Sequence, residues 1–398
     1  MQLFLDNVLI LGAGKIGSTI ADMLAELHGV SVTLADIQPP PAQHNDALVH
    51  YQQVNVQDEA ALAAVLKQHA VVIDALPFFC TPQVVAAAAK QSVHYFNLTE
   101  DVNATRTIQS LAQKTRSVLM PQCGLAPGVI GMLGGHLAEQ FDDLYDLQLR
   151  VGALTRHATN ALRYQFTWSI DGLINEYCNP CDAIVSGQPA AVQPLEGMET
   201  FSLDGELFEA FNTSGGLGTL CETLAGRVRN LNYKTMRHPG HRDAMHLLLH
   251  GLRLSERREL LRQVLEGAVP HSRDDMVVMA AMATGMRAGR LEQITRSARI
   301  YGAPLRGKQR TAIELTTAAG VLGAVELFAK GKLPQQGFVR QEQCALSDFL
   351  ATRVGHYYQG LQNTAASGAQ AAAPQPHQGM GGAAVAASAS PAHQRLQH

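Results

Sequence analysis

The segment Gly12-Ala-Gly14-Lys-Ile-Gly17 sets three glycines at a spacing that lets a backbone grip a diphosphate. Gly12 permits a tight turn, Gly14 lets the chain approach the phosphates, and Gly17 lets a helix lie close to the preceding strand. Ala13, Lys15 and Ile16 complete the loop, and the N–H groups at the helix start favour negative charge. Asp36 lies 19 residues beyond Gly17, where a carboxylate would hold a ribose 2′-hydroxyl. That carboxylate repels a 2′-phosphate, and Ile37, Gln38 and Pro39 follow it with no Arg or Lys, so NAD is favoured over NADP. Ligands of such sheets bind outside the carboxyl ends of the strands. Ala75, Leu76 and Pro77, then Asn97, Leu98, Thr99 and Glu100, and finally Gly124 are therefore further cofactor candidates.

These loops need strands and helices to hold them. Asn7–Leu11, Val30–Ala35, Tyr51–Val54, Val71–Ala75, His94–Asn97 and Val118–Pro121 read as short buried strands. Lys15–Leu27, Asp58–Gln68, Pro82–Lys90 and Ala104–Thr115 read as helices between them, with Asp58 as an N-cap. The alternation predicts an α/β fold: an N-terminal Rossmann domain, a doubly wound parallel sheet, over residues 1–125. Gly124–Gly128 reads as a hinge. An α+β substrate domain with a mixed sheet follows over 126–308. Its extended stretches are Asp146–Leu154, Tyr164–Trp168, Gly205–Thr213, Asn230–Met236 and two strands within Met276–Tyr301. Its helices are Arg242–Leu252 and Glu256–Glu266, with a shorter one at Thr219–Gly226. Residues 309–360 form a C-terminal helical segment, with a helix over Thr311–Lys330 capped by Thr311 and ended by Gly331. The segment 361–398 is mostly Ala, Gln, Pro, Ser, Gly and His and is expected to be a disordered tail.

Composition sets outer limits. At roughly 100–200 residues per domain, 398 residues predict two or three domains. A formal net charge of −3 argues against nucleic-acid binding. No apolar run approaches the ~20 residues of a membrane span, so no membrane partner is expected. Six scattered cysteines form no disulfide framework, which fits a reducing cytoplasm. Cys178 and Cys181 have metal-ligand spacing, but no second pair accompanies them. His246 and His250 share a helix face without the Glu of a zinc motif, so no metal is expected.

Several blocks together carry a family resemblance. They are Leu11–Gly17, Gln122–Gly128, Tyr164–Tyr177 followed by Asn179-Pro180, Glu209–Gly216 and Tyr233–His241. In order and spacing the chain resembles the saccharopine dehydrogenase family over most of residues 5–345, closest in pattern to lysine 6-dehydrogenase. The resemblance implies a Rossmann domain, an inserted substrate domain and a C-terminal return to the first. It also implies hydride transfer between a nicotinamide cofactor and a C–N bond of a lysine-derived amine. The chain departs from the family in places. Ala126 stands where fungal saccharopine reductases carry an acid. Gly152–Thr155 replaces a Gly-Gly-Leu/Ile-Pro loop, and Asn97 replaces a common Asp.

An amine must be neutral before it can become an imine, so a base is useful. His241, with His238 and Tyr233 in the same block, supplies candidates; His241 and Tyr233 are taken as catalytic. Arg237 is placed to clamp a substrate carboxylate, with Lys234 on the opposite side of an extended strand. Asn212, Thr213 and Ser214 could bind the same carboxylate or cap the following helix, and Trp168 could line the cleft. Competing expectations are a glutamate-forming saccharopine dehydrogenase, a carboxynorspermidine dehydrogenase, or a non-catalytic NAD-binding sensor. The partner is a small amine or amino acid. The family and base rates lead to an expected homodimer built through the substrate domain.

Overall fold

The computed structural model describes residues 7–40 and 46–362; of the tail expected over 361–398, Leu361 instead ends a short helix and is buried, and 363 onward lies outside the described residues. Seven parallel strands form the first sheet. In chain order they are β1 (Val8–Leu11), β2 (Val32–Asp36), β3 (Val49–Gln53), β4 (Val71–Asp74), β5 (His94–Asn97) and β6 (Val118–Met120), joined at one edge by a late strand, Gly337–Phe338. The spatial order is late strand, β6, β5, β4, β1, β2, β3. The order therefore reverses between β1 and β4, where such sheets bind ligands. Four-residue runs such as Val8–Leu11 and Val71–Asp74 are buried on both faces, as strands covered by helices on both sides must be. Asp58 caps its helix as predicted, accepting from the N–H groups of Ala60 and Ala61.

The second sheet is mixed, as expected. It contains β7 (Asp143–Thr155), β8 (Cys181–Val185), β9 (Gln188–Val192), β10 (Glu199–Leu203), β11 (Glu206–Asn212), β12 (Val228–Arg237), β13 (Asp275–Arg287) and β14 (Arg290–Tyr301). Its main path runs β10-β11-β12-β7-β13-β14, with β12 and β7 parallel and the other pairs on that path antiparallel. The remaining strands are β15 (Ala303–Leu305), β16 (Lys308–Arg310) and β17, the late Gly337–Phe338 strand of the first sheet.

Several elements differ from expectation. Beyond the Gly124–Gly128 turn the chain forms a buried helix, Val129–Ala138. Its glycines disguise it, because glycine is a poor helix former. Here Gly131 and Gly134 admit Gln341, Leu220 and Leu149 at distances a methyl group would violate. Ile170–Cys178 is also helical, capped by the Ser169 side chain. Tyr164–Trp168 is not a strand; it forms one isolated bridge, Phe166 to His271. The helix expected over Thr219–Gly226 spans only Leu220–Leu224 and carries no side-chain cap, so Thr213 and Ser214 do not cap it.

The helix Ala312–Ala329 has the capping box that Thr311 and Glu314 make possible. By length and composition it is apolar enough to cross a membrane, contrary to the expectation that no run approaches a span. Within the fold it is mostly buried and packs on the helix Lys15–Met23.

Candidate active site

The glycine loop has the geometry its spacing predicts. Gly12 adopts φ +98°, and a Cβ on Gly17 would stand 1.8 Å from the Gly12 carbonyl oxygen. Gly14 is exposed, and the space above it is open to 4 Å, so the loop is a cradle that a side chain would fill. Lys15 and Ile16 open the helix below it. Asp36 ends β2 with Oδ2 accepting from Ala13 N at 2.7 Å and Oδ1 from Gln38 N at 2.9 Å. That holds a carboxylate beside the cradle, and these residues fit a dinucleotide. Ala75 N donates to Leu11 O, and Ala75 O approaches Gly12 so closely that an added Cβ would meet it at 2.9 Å.

A buried hydrogen-bond chain fixes the neighbouring loops. Asp74 Oδ1 accepts from Leu76 N at 3.1 Å, which anchors Leu76 and Pro77. Tyr95 donates its hydroxyl hydrogen to Asp74 Oδ2 at 2.7 Å, and Asn97 Nδ2 donates to the Tyr95 oxygen at 3.0 Å. Asn97 Oδ1 accepts from Thr99 N and Gln122 N, both at 3.3 Å. Asn97 thus donates and accepts at once, which an ionised Asp could not. Leu98 and Gly124 lie against each other beyond this chain.

Burial pushes the Asp74 carboxyl up to about 6, against hydrogen bonds from Tyr95 and Leu76 that favour ionisation. An acid with a raised folded-state pKa binds its proton more tightly when folded. Its stabilising contribution is therefore greatest below pH 3.8 and is lost as pH rises through 6. Relative to Asp74→Asn, wild-type unfolding free energy is expected to fall by about 3 kcal/mol across that window. Urea unfolding at a series of pH values checks this; a constant difference between the two proteins would refute it.

The Tyr233–His241 block folds as strand and turn, and it places its candidates differently from expectation. His241 is wholly buried. Its Nδ1 contacts Leu162 O at 2.8 Å, so Nδ1 carries the hydrogen and Nε2 accepts from the Tyr177 hydroxyl at 3.1 Å. Burial, reinforced by the Arg237 charge, pushes the ring down to about 3. His241 is a neutral positioning residue with both nitrogens engaged. It is not an accessible base, and this corrects its catalytic assignment. Arg237 is also buried, donating from Nε to the Tyr177 oxygen at 3.0 Å and from Nη1 to Thr235 Oγ1 and Met236 O. Its Nε and Nη1 are thus committed within the protein, so it offers no open fork to a carboxylate. Lys234 lies apart from this cluster, bound to Glu199 at 2.9 Å. His238 contacts Thr155 O.

Asn212 and Ser214 donate to Gln193 O and Pro180 O, so they hold the loop instead of a substrate. Trp168 donates to the Tyr164 hydroxyl oxygen at 2.9 Å and covers Gly172, which places it against the helix Ile170–Cys178 and not on the cavity wall. Thr213 and Tyr233 do reach a cavity of ≈ 250 Å³, together with Arg106, Gln122, Asp182 and Cys221. The Thr213 hydroxyl is buried and has no hydrogen-bond partner among the described residues. Burial raises the Tyr233 phenol above its ordinary range, so it remains protonated.

Sequence reasoning missed three groups here. Arg106 and Gln122 line the cavity. Glu176, read only within a block, and Glu100, read as a cofactor candidate after the fifth strand, approach each other from the two sheets' domains. Ser214 N donates to Glu176 O at 2.9 Å, and Gly215 packs on the Glu100 backbone and Cβ. Burial, with Glu100 repelling and Arg237 opposing, brings the Glu176 carboxyl up to about 8. The one available signal was a glutamate amid apolar residues in Leu173-Ile-Asn-Glu-Tyr177.

A parallel sheet with a diphosphate cradle, joined to a mixed sheet that closes a polar cavity, defines a two-domain dinucleotide-binding protein. The family descriptions "Saccharopine dehydrogenase NADP binding domain" and "Saccharopine dehydrogenase C-terminal domain" match residues 8–120 and 124–354. The chain belongs to the saccharopine dehydrogenase family. It is 25% identical over 203 residues to a saccharopine dehydrogenase [NADP(+), L-glutamate-forming] of Pyricularia oryzae, covering 49% of this chain and 45% of that one. It is 24% identical over 194 residues to the mitochondrial alpha-aminoadipic semialdehyde synthase of Rattus norvegicus, covering 46% and 21%. The matched region thus spans less than half the length of these relatives. The solved apo saccharopine dehydrogenase (L-Glu forming) of Saccharomyces cerevisiae shares the fold, with a TM-score of 0.72 at 19% identity over 89% of this chain and 98% of that one.

Proposed function

We propose that this protein is an NAD-dependent amine dehydrogenase of the lysine 6-dehydrogenase type, oxidising the side-chain amine of lysine or a lysine-derived amine. The observation that carries the reading is the ≈ 250 Å³ cavity framed by Arg106 and Gln122 on one side and Thr213 and Tyr233 on the other. A cation and an unpartnered buried hydroxyl on facing sides of one cavity suit a small amino acid. Bound dinucleotide would supply the nicotinamide ring that accepts hydride. Arg106 provides a cation toward a substrate carboxylate, and Thr213 provides a hydroxyl without a protein partner. Asp36 supports NAD over NADP, although the matching domain description and the fungal relatives' names specify NADP. A homodimer built through the substrate domain is part of the same reading.

The test is reduced-nicotinamide formation at mildly alkaline pH, with L-lysine and saccharopine supplied separately and NADP run beside NAD. Turnover of lysine with NAD is expected. Turnover of saccharopine alone, or silence with both despite NAD binding, would overturn the reading.

A further inference from the structure

We propose that Glu176, facing Glu100 at the junction of the two sheets' domains, takes the proton from the substrate's ammonium group before hydride leaves. This rests on the amine-dehydrogenase reading above. Seven acids are buried among the described residues: Asp22, Asp74, Glu176, Glu209, Asp275, Glu314 and Glu326. Six of them serve the architecture. Asp22 binds Arg310 and Lys308, and Asp74 binds Tyr95 and Leu76 N. Glu209 accepts from Gly240 N and Arg242 N, and Asp275 from Ala312 N and Ile313 N. Glu314 accepts from Thr311 N, and Glu326 from Lys330 and Arg353 N. Glu176 is 8% exposed, and no hydrogen bond among the described residues ends on its carboxyl. A buried acid whose carboxyl has no hydrogen-bond partner costs stability, so its place directly behind the Thr213–Gly215 loop that lines the cavity points to a ligand.

The surroundings support the same role. Glu100 comes from the loop after β5, at the dinucleotide crevice, and the Asn175 side chain hydrogen-bonds to it. The loop holding Glu176 O continues through Thr213, whose buried hydroxyl is unpartnered and which lines the cavity. The charged and titratable groups acting on Glu176 and Glu100 are Arg237 and Tyr233 from β12, Tyr177 from its own helix, Tyr164 from the segment before it, Cys181 at the start of β8, and Asp101 beside Glu100. A cation entering between two carboxyls favours the ionised form that then accepts its proton. The nearest candidate histidine, His241, has no free nitrogen for the task.

The step balances. The substrate's N–H bond breaks and an O–H bond forms on Glu176, leaving a neutral amine and a carboxylic acid. The freed nitrogen lone pair can then close the C=N bond, and a bound oxidised nicotinamide would take up the C–H electron pair as hydride, which leaves the substrate as an iminium.

Glu176→Gln preserves shape and removes the acceptor, so kcat/KM should fall by on the order of 10²–10⁴-fold. Glu100→Gln removes the repelling neighbour, so the acid limb of the pH–kcat/KM profile should move to lower pH. Infrared titration of the cofactor-free protein gives a readout independent of turnover. A protonated-carboxyl band titrating near pH 8 should vanish in Glu176→Gln and shift to lower pH in Glu100→Gln. Wild-type turnover that Glu176→Gln retains with an unchanged profile, or no carboxyl titrating above pH 7, would overturn the role of Glu176 alone. A wild-type protein silent toward all amines would overturn the dehydrogenase reading, and with it the proton transfer, even with the infrared band present.

Discussion

Gly17→Ala is expected to weaken nicotinamide-dinucleotide binding by on the order of 100-fold and to lower the melting temperature. The added Cβ would lie 1.8 Å from the Gly12 carbonyl oxygen, and that oxygen belongs to backbone that cannot swing aside as a side chain can. The helix must retreat from β1 or the turn must distort, at a cost of several kcal/mol. Each ~1.4 kcal/mol of this that falls on the complex costs a factor of ten in affinity. Gly14→Ala is the paired control. Nothing lies within 4 Å of its added Cβ, so the apo fold should keep its melting temperature while affinity drops, because the methyl group occupies the space for phosphate. Titration of NAD against both variants, with thermal unfolding of each, separates the effects. Equal affinities for Gly14→Ala and wild type would mean that the diphosphate does not lie over this loop.

Arg237→Leu is expected to destabilise the fold by about 3 kcal/mol or more. Three acceptors lose a donor at once: the Tyr177 oxygen, Thr235 Oγ1 and Met236 O. Each buried acceptor left unpaired costs ~1–3 kcal/mol. The loss should spread to the His241 ring, because Tyr177 links the two residues and stacks its edge near that imidazole. Arg237→Lys should not restore stability, since a single ammonium cannot reproduce donation from both Nε and Nη1. Urea unfolding of both variants is the measurement. A lysine variant as stable as wild type would show that charge alone, not the guanidinium geometry, matters at this position.

The first sheet was legible because its signals are local. A strand, three spaced glycines, a helix and an acid at the next strand end leave little freedom of arrangement. The late β17 strand was not legible, because two residues pairing with β6 carry no periodicity. The β8–β9 and β10–β11 hairpins were missed although Ser186-Gly187 and Asp204-Gly205 adopt the positive φ angles of tight hairpin turns. At the site, His241 and Arg237 are buried and hydrogen-bonded within the protein, not open to a substrate as their chemistry suggested. Their chemistry shows in the sequence, whereas their enclosure depends on Tyr164, Tyr177 and Phe211, which come from other elements. Glu176 escaped notice for the converse reason. A lone glutamate looks like a solvated helix residue until its neighbours are known.

The helix Ala312–Ala329 rests on the loop after β6 so closely that a methyl group on Gly320 would stand 2.5 Å from the Gly124 oxygen and 2.7 Å from the Cys123 oxygen. Gly337 and Phe338 then pair with Val118 and Leu119. A ribosome making this chain therefore releases the dinucleotide domain unfinished. Its β6 edge and the seat for the long helix stay open while some two hundred residues of the second sheet's domain are synthesised. The two domains cannot mature one after the other, and the nascent chain must shelter an apolar groove until its own distant segment arrives to fill it.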